Sequence, residues 1–114
     1  MCLQSSNTLK DCLFMITLEK IYNIAETTVI NIVGVSCDNW RKCKCEDCVL
    51  VRKMITQSLL HIGFSRKNIQ RYSKFSKSSI SAYISDNTES RILSILRSEI
   101  RRELSEKGIM IEKH

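Results

Sequence analysis

Four cysteines lie close together in the chain, and their residue type and spacing suggest metal chemistry. They are Cys37, Cys43, Cys45 and Cys48. Four thiolates can hold a tetrahedral Zn²⁺, and the spacing of Cys45 and Cys48 is typical of zinc ligands. Structural zinc sites usually have two well-spaced pairs, whereas Cys43 and Cys45 are separated by a single residue. We therefore favour reduced cysteines in a basic loop, with no cofactor, and keep a zinc site as the alternative.

Side chains suited to catalysis are scarce in this sequence. The two histidines are His61 and His114, and His61 falls at the end of a predicted helix, where a structural role is the ordinary one. The sequence has no suitably placed carboxylate pair, no glycine-rich phosphate loop and no nucleophile motif. We therefore expect that the protein is not an enzyme.

Positive charge is concentrated in the middle of the chain. Residues 40–84 include ten Lys or Arg residues and two acidic residues, whereas residues 1–39 are net negative and residues 85–114 are neutral. The whole chain has a formal net charge of +6. A basic surface confined to one part of a domain favours a polyanionic partner such as nucleic acid, although a solvated surface without a partner has the same composition.

Length and composition indicate a single small domain. The chain has 114 residues, of which 43% are hydrophobic and 26% are charged, and these values are ordinary for a globular protein. It has no Pro and three Gly, so it lacks the turn residues that a small strand-rich domain needs. The apolar run at residues 12–16 is too short for a membrane span or a signal peptide. We expect a cytoplasmic protein that does not bind membranes and that keeps its cysteines reduced.

Apolar periodicity predicts an all-α fold, a small bundle of about five helices. Residues 1–16 have weak periodicity and are expected to form a frayed end or a short helix, and residues 108–114 a tail. The domain between them, residues 17–107, has apolar side chains at helical spacing. The predicted helices cover residues 17–32, 46–61, 66–73, 77–84 and 88–107.

The segment from Arg66 to Ile84 has the features of a helix-turn-helix, in which two short helices are joined by a tight turn. Ser65 and Ser76 can cap the two helices. The turn usually contains Gly, and here Lys74 or Ser73 stands in its place. Apolar residues occupy the inner positions of both helices and the turn, at Ile69, Phe75, Ile80 and Ile84.

A helix-turn-helix binds duplex DNA by placing its second helix in the major groove, while basic side chains contact the flanking phosphates. The capped N-terminus of the second helix can face a phosphate, and the outward side chains of residues 77–81 can reach base edges. The side chains predicted to contact DNA are Arg41, Lys42, Lys44, Arg52, Arg66, Lys67, Arg71, Lys74, Ser76, Lys77, Ser78, Ser79 and Ser81.

The stretch from about Leu18 to Ile84 resembles the C-terminal DNA-binding domain of the bacterial replication initiator DnaA, a Trp-repressor-like helical domain. The resemblance implies that Arg41, Lys42 or Lys44 lies near the minor groove, and that residues 77–81 lie near bases. The ATPase module and the signature Asp-His-Thr-Thr-Val of that family are absent, which implies a free-standing relative. The matching features are an apolar helix (Leu18–Val33), a basic loop (Trp40–Lys44), a helix with the pair Val51-Arg52, and the helix-turn-helix.

The second and the last predicted helices each have a stripe of apolar side chains along one side. The second has Arg52, Lys53, Thr56 and Gln57 on the side opposite its apolar stripe. The stripe of the last helix favours packing in the core, with a homodimer through this helix as the alternative. It consists of Ile92, Leu93, Ile95, Leu96, Ile100 and Leu104.

We therefore predict a protein that binds double-stranded DNA through its helix-turn-helix and its upstream basic loop. Such a protein would act as a regulator of transcription or belong to a mobile element. The alternative, from a different functional class, is a helical protein–protein adaptor that uses the C-terminal helix.

Overall fold

The computed structural model of the protein describes residues 6–86 and 90–108, with side chains described from residue 17 onward except that of Ser90. Within these residues the fold is all-α, as predicted. The predicted tail beyond residue 108 and the predicted start of the last helix at residue 88 lie outside the described residues, as do residues 1–5. The helices are α1 (Ser6–Val33), α2 (Glu46–Ile62), α3 (Arg66–Ser73), α4 (Lys77–Ser85) and α5 (Ser90–Glu106).

Helix α1 begins eleven residues before the predicted start at residue 17. The sequence before residue 17 has neither Pro nor Gly, so nothing in it ends a helix. Of the two expectations for this segment, a frayed end is wrong over residues 6–16 and a helix is confirmed there, although it is continuous with the rest of α1. At its other end α1 stops at Gly34, which has φ +81° and donates its N–H to the carbonyl of Ile30 at 2.9 Å.

Helix α2 is the centre of the bundle, since it contacts each of the other four helices. The four residues that the sequence places opposite the apolar stripe of this helix are also covered by the rest of the domain. Arg52, Thr56 and Gln57 on its supposed polar side are all buried, and Lys53 is partly buried. Their polar groups are satisfied internally: Thr56 Oγ1 donates to the carbonyl of Arg52 at 2.9 Å, and Gln57 Nε2 donates to the carbonyl of Tyr83 at 2.7 Å.

The apolar stripe of α5 packs inside the domain, against α1 and α2. Leu93, Leu96, Ile100 and Leu104 are buried, which confirms the favoured prediction for this helix. Ile95 is 49% exposed and lies outside the packed stripe. The face on which the adaptor and homodimer alternatives depended is thus occupied by the protein's own core.

The turn between α3 and α4 contains a residue in the left-handed conformation at the position where such turns usually have Gly. Lys74 has φ 66° and ψ 13°, and its N–H donates to the carbonyl of Gln70 at 2.9 Å. A residue with a Cβ atom in this conformation costs about 1 kcal/mol or more relative to Gly. Lys74 therefore closes the turn at a conformational cost.

We expect Lys74→Gly to be more stable than Lys74→Ala by roughly 0.5–1 kcal/mol. Gly removes the strain of the left-handed conformation in the folded state, and this gain exceeds the stability that Gly loses because its unfolded chain has more conformational entropy. Both variants lose the same charge, so their difference isolates the backbone. Urea denaturation of the two variants measures it. Equal stability of the two variants would show that the turn is not strained at this residue.

No helix in the described residues is both long enough and apolar enough to span a membrane, even though α1 has 28 residues.

Candidate nucleic-acid interface

Helices α3 and α4 have the bounds and caps that the sequence predicts. Ser65 Oγ accepts a hydrogen bond from the N–H of Asn68 at 3.1 Å, and Ser76 Oγ accepts one from the N–H of Ser79 at 3.1 Å. The predicted inner residues Ile69, Phe75 and Ile80 are buried, and Ile84 is half-buried. The pair of helices therefore packs on the rest of the domain through the predicted apolar residues.

Ser73 ends α3 at a position that is usually apolar in this motif, and it is fully buried. Its hydroxyl accepts a hydrogen bond from the N–H of Phe75 at 3.1 Å. A small residue that satisfies a backbone donor of the turn is compatible with burial at this point.

The serines at the start of α4 are linked to one another. Ser76 Oγ donates to Ser79 Oγ at 2.8 Å and lies 3.4 Å from Ser78 Oγ. Ser79 is half-buried in this network, whereas Lys77, Ser78 and Ser81 are exposed. Ser79, predicted to contact DNA, thus helps to hold the N-terminus of the helix, and the exposed polar side chains of α4 are the ones able to reach a ligand.

The basic loop, residues 40–44, is anchored beside the end of α3 by Arg41. One terminal nitrogen of its guanidinium donates to the carbonyl of Ser73 at 2.7 Å, and the other pairs with Glu26 Oε2 at 2.5 Å. The guanidinium also lies 4.6 Å from the centre of the Trp40 ring. Arg41 was predicted to contact the minor groove, but its hydrogen bonds are directed into the protein and Glu26 offsets its charge. Lys42 and Lys44 are exposed.

Arg52, also predicted to contact DNA, is 7% exposed and its guanidinium is directed to acceptors within the protein. Its Nε donates to Tyr83 Oη at 2.9 Å. One of its terminal nitrogens donates to the carbonyls of Trp40 and Cys43, both at 2.6 Å. Arg52 thus connects α2, α4 and the basic loop. The sequence did not identify Tyr83 and Glu26 as residues that position Arg52 and Arg41. Each lies far from its arginine in the chain, so no local spacing indicates the contact.

A cleft of about 370 Å³ lies between the basic loop and the start of α4. The two segments that were predicted to bind DNA therefore border one space, although about thirty residues separate them in the chain. Exposed cations on α3 and α4 that do not line the cleft are Arg66, Lys67, Arg71 and Lys77. The lining residues are Arg41, Lys42, Lys44, Arg52, Ser73, Lys74, Phe75, Ser76, Ser79 and Tyr83.

No protein-family model, no curated protein and no solved structure matches this chain. Membership of the initiator's DNA-binding domain family therefore stays a prediction. The residues of the cleft are held in place by hydrogen bonds from Arg41 to the carbonyl of Ser73 and from Arg52 to the carbonyl of Trp40.

The cysteines converge where the basic loop meets α2. The Sγ atoms of Cys37, Cys43 and Cys48 all lie within 4.8 Å of one another. The N–H of Cys45 donates to Cys43 Sγ at 3.5 Å, and this bond, with contacts from the neighbouring thiols, lowers the pKa of Cys43 to about 7. Burial, followed by the contacts from the other thiols, raises the pKa of Cys48.

Proposed function

We propose that this domain binds double-stranded DNA at the cleft between the basic loop and the start of α4. The observation that carries the proposal is the convergence of two distant basic segments on one space, with Lys42 and Lys44 on one side and Lys74 on the other. Duplex DNA presents rows of phosphates at regular spacing, so a binding surface with cations on two sides matches its backbone.

The electrostatics of the cleft favour an anionic ligand. None of the described residues that line it is acidic. The N-terminus of α4 borders the cleft through its cap, Ser76, and the backbone N–H groups and dipole of a helix N-terminus attract phosphate.

The exposed side of α4 supports contact with bases. An α-helix with its side chains is about 10–12 Å in diameter, so α4 can lie in a major groove about 12 Å wide, and its nine residues give it about two and a half turns there. Its exposed Lys77, Ser78 and Ser81 can donate or accept hydrogen bonds at base edges. Base contacts by α4 are the part of the resemblance to the initiator domain that the proposal keeps, whereas it assigns the loop lysines to phosphates and not to the minor groove.

Titration of a fluorescent duplex with the protein at two salt concentrations tests the proposal directly. If Lys42, Lys44 and Lys74 each contact a phosphate, the logarithm of the affinity should fall with the logarithm of salt concentration with a slope of about −2.7. A library of random duplexes in the same assay gives the preferred site. Absence of binding to any duplex at low salt, or binding that does not depend on salt, would refute the proposal.

We expect Ser78→Ala and Ser81→Ala together to reduce the preference for the selected site over random duplex by about tenfold, because each hydroxyl lost removes about 1 kcal/mol of base discrimination at most. Affinity for random duplex should stay within about twofold, since no charge changes. The matched control is Ser98→Ala, an exposed serine on α5. If affinity for all duplexes falls equally, these side chains do not read bases.

A further inference from the structure

The cysteine cluster has the dimensions of a metal site. Zinc–thiolate bonds of about 2.3 Å in a tetrahedron put the sulfurs about 3.8 Å apart. The sulfurs of Cys37, Cys43 and Cys48 lie within 4.8 Å of one another, so a shift of about 1 Å at most gives that arrangement. Thiols are weak hydrogen-bond partners, and their mutual hydrogen bonds give little reason for three of them to converge.

Cys45 is the candidate for the fourth sulfur, since it is exposed and lies two residues from Cys43 and three from Cys48. Its N–H donates to Cys43 Sγ at 3.5 Å, the kind of outer contact that orients ligating groups in metal sites. Its own Sγ does not belong to the group of three that lie within 4.8 Å of one another, so its side chain has to turn toward them to complete a tetrahedron. All four cysteines are free thiols, so none is held in a disulfide.

The fold removes the objection that the sequence spacing raises. Cys37 precedes the loop, and Cys48 lies in the first turn of α2 and is fully buried. Between them the chain folds back on itself, because the N–H groups of Lys42 and Cys43 both donate to the carbonyl of Asn39, at 3.0 and 2.8 Å. The turn brings Cys37 back to Cys43 and Cys48, so these three sulfurs come from separate segments of the chain. Cys45 would then complete the site from its exposed side, at a ligand-like spacing from Cys48.

We propose that Cys37, Cys43, Cys45 and Cys48 bind one Zn²⁺ that fixes the basic loop to the start of α2. Thiolates are soft ligands, which select zinc over calcium or magnesium, and four of them leave no open position for catalysis. The site lies next to Arg52, whose guanidinium donates to the carbonyl of Cys43. The metal and Arg52 together hold Lys42 and Lys44 at the cleft.

Metal analysis of the purified protein tests this proposal, with no metal and no chelator added and a reductant present. We expect about one zinc per chain. Titration of the metal-free protein with Co²⁺ should give the intense visible and near-ultraviolet bands of tetrahedral thiolate coordination. A zinc content well below one per chain, together with no Co²⁺ spectrum in the reduced protein, overturns the proposal. Disulfides that form in preference to metal uptake under these conditions overturn it as well.

Variants assign the ligands. Cys43→Ser and Cys45→Ser should each lower the affinity for zinc by at least tenfold, as loss of a single ligand does. Cys48 is buried, so its replacement can unfold the chain regardless of metal; Cys45 is exposed and does not have this drawback. Cys2→Ser is the matched control and should bind zinc as the unchanged protein does. Unchanged zinc affinity in both Cys43→Ser and Cys45→Ser would refute the four-thiolate site.

A second readout connects the metal to the cleft, and this one rests on the proposed function. Removal of the metal should weaken duplex binding by about tenfold or more, because the two loop lysines lose their fixed position. The variant Lys42→Ala with Lys44→Ala should lose most of this sensitivity to metal removal. Metal content is measured without DNA, so a failure to bind duplex would contradict the proposed function and leave the metal result to be judged separately.

Discussion

Replacement of Arg52 by Met should lower the free energy of unfolding by about 3 kcal/mol, a large fraction of the stability of a small domain. Met is similar in length and apolar, so α2 keeps its packing, but three hydrogen bonds disappear. Tyr83 Oη and the carbonyls of Trp40 and Cys43 lose their charged donor in a part-buried site. Chemical denaturation followed by circular dichroism measures the loss.

Arg102→Met is the matched control for this change. Arg102 forms ion pairs with Glu99 and Glu106 on the exposed surface of α5, and solvent screens such pairs so that they add little to stability. The control should therefore lose far less stability than Arg52→Met. Tyr83→Phe removes one acceptor of Arg52 and should lose about 1 kcal/mol. A similar loss in Arg52→Met and Arg102→Met would show that Arg52 does not hold the loop.

Much of the fold could be predicted because the signals for helix ends are local. Ser65 and Ser76 cap α3 and α4 with bonds to residues three positions on, and Gly63 ends α2 with φ +122°. Such contacts depend on a few neighbouring residues, so residue type and order are enough to indicate them. The start of α1 had no such signal, and its prediction failed.

The burial of α2 could not be predicted in the same way. Periodicity identifies a helix with one apolar side, but a helix that contacts neighbours all round also buries its polar side chains. Arg52 and Gln57 are buried because α4 and the basic loop supply their partners, which lie between nine and thirty-one residues away in the chain. Composition alone makes such residues look like part of a solvated surface or a DNA contact.

The candidate site was predicted in its parts but not in its arrangement. Basic residues in the loop and in the turn were both identified, yet the cleft between them depends on Arg41, which bridges Glu26 and the carbonyl of Ser73. Arg41 and Ser73 are thirty-two residues apart in the sequence, so no local pattern indicates the bond between them. The cysteines are a similar case, because their linear spacing argued against a metal site, whereas folding brings the Sγ atoms of Cys37, Cys43 and Cys48 within 4.8 Å of one another.

The charges on the two sides of the cleft should dominate duplex binding. Combining Lys44→Ala with Lys74→Ala removes one cation from each side. At about 0.1 M salt the loss of two phosphate contacts should weaken binding by about 50- to 100-fold, and the salt slope should become shallower by about 1.8. Stability should change little, because Lys44 and Lys74 are exposed. Anisotropy titrations at several salt concentrations give both quantities.

The control for this change must remove the same charge elsewhere. Lys20 on α1 and Arg101 on α5 are exposed and do not line the cleft. Their combined replacement by Ala lowers the net charge equally, so any general attraction between a basic protein and DNA weakens by the same amount in both variants. We expect the control to bind within about threefold of the unchanged protein and to keep its salt slope. Equal losses in the two double variants would mean that DNA is attracted to the whole molecule, and that the cleft is not where it binds.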